Sequence, residues 1–122
     1  MKTNLNLLAL GILLSLAGAS FGQPVITTQP QSSTNVAGTT ATFWVAGTGT
    51  PPLAYQWQKL SGTWSDLVGS TDTNLSLSNV QTSHAGDYRV VITNVDGDLT
   101  SDVARLTVIV PPRITPTVSL QN

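Results

Sequence analysis

Apolar and polar residues alternate in short runs along most of this chain. Over 39–46, Ala41, Phe43 and Val45 fall on one side of an extended backbone, with Thr40, Thr42 and Trp44 on the other. Over 53–59 the pattern repeats, with Leu53, Tyr55 and Trp57 opposed by Ala54, Gln56 and Gln58. Leu75 and Leu77 alternate with Ser76 and Ser78, and Tyr88, Val90 and Ile92 share a face over 87–93. A period of two is the signature of a strand with one face buried. Two further strands are expected at 25–28, closed by Gln29-Pro30, and at 99–110, where Ala104, Leu106 and Val108 point inward. A short segment at 66–68 follows the loop that holds Ser61-Gly62 and Trp64. The breakers agree with this division: Gly-Thr-Gly-Thr-Pro-Pro at 47–52, a turn at 69–73, and Asn94-Val95-Asp96-Gly97 as a tight hairpin. About seven strands at roughly 8–12-residue spacing predict an all-β fold, an antiparallel β-sandwich.

The first 22 residues stand outside that pattern. Lys2 precedes an apolar run from Leu5 to Ala19, broken only by Asn6 and Ser15, and small residues follow it. A basic start, a short apolar centre and a small-residue exit describe a secretory signal peptide. The run is shorter than the roughly 20 residues that span a bilayer, so no membrane span is expected in the mature chain. Cleavage after Ala19 and cleavage after Gly22 both satisfy the small-residue requirement. Ala19 stands where a lipoprotein signal would need a cysteine, which argues against lipid anchoring. The expected location is therefore secreted or at the cell surface, with 23–110 forming one domain and 111–122 a Pro-rich linker.

Composition sharpens the picture. The 122 residues are 9% charged, carry a formal net charge of −1 and contain no cysteine. Near-neutral charge removes the electrostatic drive toward nucleic acid. The absence of cysteine removes disulfides, zinc–thiolate sites, iron–sulfur clusters and a thiol nucleophile together. Beyond residue 22 the chain is rich in Thr and Val, which are β-branched and favour extended backbone, while glutamate is absent. A helical bundle would need the opposite bias.

Particular residues then carry a resemblance. Trp57 follows Val45 by twelve positions, Leu75-Ser76-Leu77 with Asn79-Val80 forms a Leu-x-Leu strand, and His84-Ala85-Gly86-Asp87-Tyr88-Arg89-Val90 leads into the next. This arrangement resembles the immunoglobulin-like domains, of the tandem-repeat type found in bacterial secreted and surface proteins. The resemblance covers about residues 24–110. It implies a Greek-key sandwich with a core of Val45, Trp57, Leu75, Leu77, Tyr88 and Val90. Trp57 fills the space between the sheets, and Tyr88 acts as the tyrosine corner whose hydroxyl bonds the upstream backbone. Val45 and Val90 stand where the family carries its two cysteines, and His84 stands where it carries an aspartate. A bridge between positions 45 and 90 would close a loop of about 45 residues, worth roughly 4 kcal/mol on the chain-entropy model. Here inter-sheet packing has to replace it.

Candidate chemistry is sparse. His84 is the single imidazole, and Ser83 and Asp87 beside it in sequence do not make a triad. No paired carboxylates, cofactor motif or metal-ligand spacing emerges, so the chain is expected to be non-catalytic and to need no cofactor. Asp96-Gly97-Asp98 with Asp102 has alternate acidic positions, as calcium loops do, but a hairpin turn explains Asp96-Gly97 without a metal. Asn74-Leu75-Ser76 is formally a glycosylation sequon, set aside because the resemblance is bacterial. Trp44, outward on its strand, and Trp64 are the candidate contact residues, since exposed Trp stacks on sugars or anchors protein contacts. Tyr55 is a possible third member of a carbohydrate surface.

The tail echoes the start. Pro112-Arg113-Ile114-Thr115 repeats the pattern of Pro24-Val25-Ile26-Thr27 at an offset of 88 residues (112 − 24), about one immunoglobulin-like repeat. Pro111-Pro112 makes a stiff linker, and further modules in the same chain are expected. The leading reading is an adhesion or spacer module that contacts protein or polysaccharide at the cell surface. The alternatives are a carbohydrate-binding accessory module, or a passive domain appended to a downstream hydrolase.

Overall fold

The computed structural model describes residues 22–113, so the leader preceding Gly22 and the last part of the expected linker lie outside the described residues. Ten strands are formed: β1 (Val25–Thr28), β2 (Ser33–Val36), β3 (Ala41–Trp44), β4 (Ala46–Thr48), β5 (Ala54–Ser61), β6 (Thr63–Asp66), β7 (Asn74–Leu77), β8 (Gly86–Asn94), β9 (Gly97–Thr100) and β10 (Ala104–Ile109). Three pairs of them, β1/β2, β3/β4 and β9/β10, are single passes of chain interrupted by a few residues. Counted as passes the ten become seven, the expected number.

The larger sheet has the order β2-β10-β8-β5-β6, with β9 also paired to β8. Opposite it, β1 pairs with β4 and β3 with β7, and Val45 N–H donating to Thr73 O (3.0 Å) extends the latter pair. The first pass changes sheets between β1 and β2, at a buried Pro30 that has no N–H to offer a ladder. One pairing departs from the expected antiparallel scheme: β2 lies parallel to β10, with Leu106 opposite Ser33 and Ile109 opposite Val36. Strand β2 was not expected, because Ser33-Thr34-Asn35-Val36 has no apolar alternation. The open edge of β10 supplies the ladder instead. The strand expected at 66–68 sits earlier, at Thr63–Asp66, and Val68 is 98% exposed.

The core is built from the alternating positions. Ala41, Phe43, Val45, Trp57, Leu75, Val80, Tyr88, Val90, Ile92, Ala104 and Leu106 are all buried in one cluster, and Leu77 packs at its edge. Phe43 sits 5.3 Å from the Tyr88 ring and 6.4 Å from the Trp57 ring, centroid to centroid, joining both sheets through aromatic contact. The Trp57 indole N–H is satisfied by Asp72 O at 2.9 Å. Tyr88 donates its hydroxyl to the carbonyl of His84, four residues upstream, as the tyrosine-corner reading requires. Val45 and Val90 are 2% and 0% exposed, so the positions that would carry a disulfide are apolar core.

The chain enters and leaves at opposite ends. Gly22 is tied to Thr50 and Asn94, beside the connections that follow β4 and β8. The pairing of Leu106 with Gly86 puts β10 alongside the start of β8, and β10 then runs on away from Asn94. It finishes where Ala37 N–H donates to Ile109 O at 2.8 Å.

Candidate functional site

Strand register decides which side chains can act together. Trp57 and Val90 point into the core, so Gln58, Leu60 and Arg89, displaced by odd steps, point outward from the larger sheet. Trp64 is opposite Leu60 and Asp66 opposite Gln58, which places both on that outer face. Trp64 therefore stands on β6, not in the loop expected for it. Its ring lies 4.2 Å beneath the Arg89 guanidinium, a cation–π pair. Arg89 Nε donates to Gln58 Oε1 at 2.7 Å, and Gln58 Nε2 donates to Asp66 Oδ1 at 2.8 Å. The four side chains form one ordered, half-buried array. Neither the Arg89 contact nor this relay was foreseen; recognising it required the β5–β6–β8 register.

Trp44 lies elsewhere. It is 50% exposed on β3, opposite Asn74, on the outer face of the other sheet. The sandwich thus separates Trp44 from Trp64, and they cannot form a shared aromatic platform. Tyr55 has the parity of Trp57 and packs against the core, so it is not part of any outer surface.

The polar clusters are structural. His84 Nδ1 accepts the Gln81 N–H at 2.8 Å, closing the short 3-10 turn over Thr82–His84. Arg105 holds Asp87, with Nη2 donating to Oδ2 at 3.0 Å and Nε 2.9 Å from Oδ1. The second contact is an ion pair only, because buried Oδ1 accepts no hydrogen bond. Asp96, Asp98 and Asp102 do not converge, and no group of three or more His and acidic residues gathers among the described residues. Asp96 N–H bonds Asn94 Oδ1 at 2.8 Å, Asp98 lies opposite Thr93, and Asp102 N–H bonds Gln29 Oε1 at 2.9 Å. No cavity opens among the described residues, and no helix there is long and apolar enough to cross a membrane.

A closed two-sheet sandwich with a buried Trp, a tyrosine corner and function confined to its outer faces and ends is an immunoglobulin-like module. The chain belongs to the immunoglobulin domain family, whose model matches residues 23–94. Among curated proteins it is 38% identical over 86 residues to Endoglucanase C of Cellulomonas fimi, covering 70% of this chain but 8% of that protein. Among solved structures it is similar to the tandem Ig repeats of Dlar, with 27% identity, a TM-score of 0.65, and 75% of this chain and 48% of that one covered. An I-band fragment of titin gives 28% identity and a TM-score of 0.64, over 77% of this chain and 35% of that one. A complex of titin with obscurin-like 1 matches at 24% identity and a TM-score of 0.65, covering 76% of this chain and 99% of that chain, which speaks for the fold alone.

Proposed function

We propose that this chain is a non-catalytic accessory and spacer module of an exported protein, holding neighbouring domains or a surface at a set distance. The observation that carries the reading is the placement of its ends. The chain enters at Gly22 and leaves past Ile109 at the opposite end of the sandwich, the geometry of an in-line connector. The likeness to a small part of Endoglucanase C supports a setting beside a hydrolase acting on polysaccharide. The likeness to the tandem repeats of Dlar supports further modules in line with this one. Surface contacts, to protein or to polysaccharide, would be single-ring contacts through Trp44 on one face and Trp64 on the other. In a cellulose pull-down with a hydrolysis assay, the chain should release no sugar and be retained weakly at most. Strong retention abolished by Trp64→Ala would favour the carbohydrate-binding alternative, and sugar release that survives purification would refute the non-catalytic reading.

A further inference from the structure

Two small-residue exits follow the apolar leader, at Ala19 and at Gly22, and the sequence does not choose between them. The structure bears on this through Gly22 itself. Its N–H donates to Thr50 Oγ1 at 2.9 Å, and its carbonyl accepts from Thr50 N–H at 2.9 Å and from Asn94 Nδ2 at 2.9 Å. Asn94 also holds Thr50 O at 3.1 Å, and Gln23 Nε2 reaches Asp96 O at 3.2 Å. Gly22 is thus a bonded member of the end of the domain. Its φ of +77° lies in the left-handed region that favours glycine. The small residue at 22 therefore has a conformational cause inside the fold and need not mark an exit.

We propose that the leader is removed between Ala19 and Ser20, and that Gly22 belongs to the mature domain. This rests on the export reading above. Water hydrolyses the Ala19–Ser20 peptide bond, leaving the carboxyl group on Ala19 and the free amine on Ser20. Ala17 and Ala19 supply the small-x-small pair this cut requires. Processing proteases need the chain extended and free on both sides of the bond they cut. Once the domain closes, the Gly22–Gln23 bond is held by Thr50, Asn94 and Asp96, whereas Ala19–Ser20 lies outside all of these contacts.

The test is export of the full chain in a bacterium, followed by intact mass and N-terminal sequencing of the exported product. A single species beginning at Ser20 is expected. A product beginning at Gln23 overturns the proposal while leaving the export reading standing. A chain that keeps Met1 and stays in the cell overturns the export reading on which the proposal rests. Ala19→Arg gives a second readout: it removes the first exit and leaves Ser20 and Gly22 as a small-x-small pair. Uncleaved precursor should then accumulate at least tenfold over wild type, and efficient processing to Gln23 in this variant would again overturn the proposal.

Discussion

Val45 and Val90 fill core positions that a disulfide would otherwise join, and both are almost completely shielded from water. With no covalent bridge, each methyl group there carries part of the stability directly. Val90→Ala should cost about 1–3 kcal/mol through lost burial and the cavity it leaves, read as a lower urea midpoint at unchanged m-value. A neutral result would mean that Val90 is not in a packed core. Tyr88 adds a pH signature. Burial pushes its phenol from 10.0 up to about 12, so the folded state holds the proton more tightly than the unfolded chain does. Stability from this group is complete below pH 10 and falls as pH rises from about 10 through about 12. Tyr88→Phe should cost about 0.5–1.5 kcal/mol at neutral pH, for the hydrogen bond to His84 O. It should also lose less stability than wild type between pH 9 and pH 11, and equal alkaline losses in the two proteins would contradict the assignment. The core residues were readable from the sequence because inward positions recur every second residue. The array of Trp64, Arg89, Gln58 and Asp66 was not, because facing partners depend on a register that no single segment encodes.

Seven alternating segments predicted seven passes, but the breaks within passes depend on tertiary pairing. The last pass shows why. Thr100 lies opposite Val91 and Ala104 opposite Tyr88, so β9 and β10 hold one residue more than β8 over the same stretch. The extra residue is absorbed around Ser101, which is 7% exposed. Its N–H donates to Val90 O at 2.9 Å, while its hydroxyl accepts the Val90 N–H at 3.0 Å and donates to Asp102 O at 2.8 Å. The hydroxyl thus takes the place of a backbone carbonyl in the ladder, as a bulge requires. Ser101→Ala leaves the buried Val90 N–H without an acceptor and should cost about 1–3 kcal/mol. Hydrogen exchange should locate the loss, with the Val90 amide exchanging far faster relative to its neighbours than in wild type. Unchanged protection at Val90 would show that another group satisfies it. Apolar alternation is blind to such a device, just as it was blind to β2, whose four residues form a strand because the edge of β10 is open.

At the scale of the molecule, connector geometry is a length that can be measured. β8 runs nine residues from Gly86 to Asn94, and β10 continues three residues beyond its Leu106–Gly86 pairing, to Ile109. At about 3.3 Å per residue, the path from the Asn94 end to the Ile109 end spans roughly 35–40 Å. Gly22 is fastened at the first end and Val110 follows at the second, so the flanking chain is held apart by nearly the whole length of the sandwich. The chain has no cysteine, so spin labels can be placed cleanly at Gln23→Cys and Val110→Cys, both exposed positions. Their separation should fall near 35–45 Å once label arms are allowed for, with a single narrow distribution. A mean below about 20 Å would place both termini at one end, and a hairpin-like module of that kind could not act as an in-line spacer. The distribution should also stay narrow in high salt. A single ion pair, Arg105–Asp87, is present among the described residues, and apolar packing, which salt does not screen, sets the length.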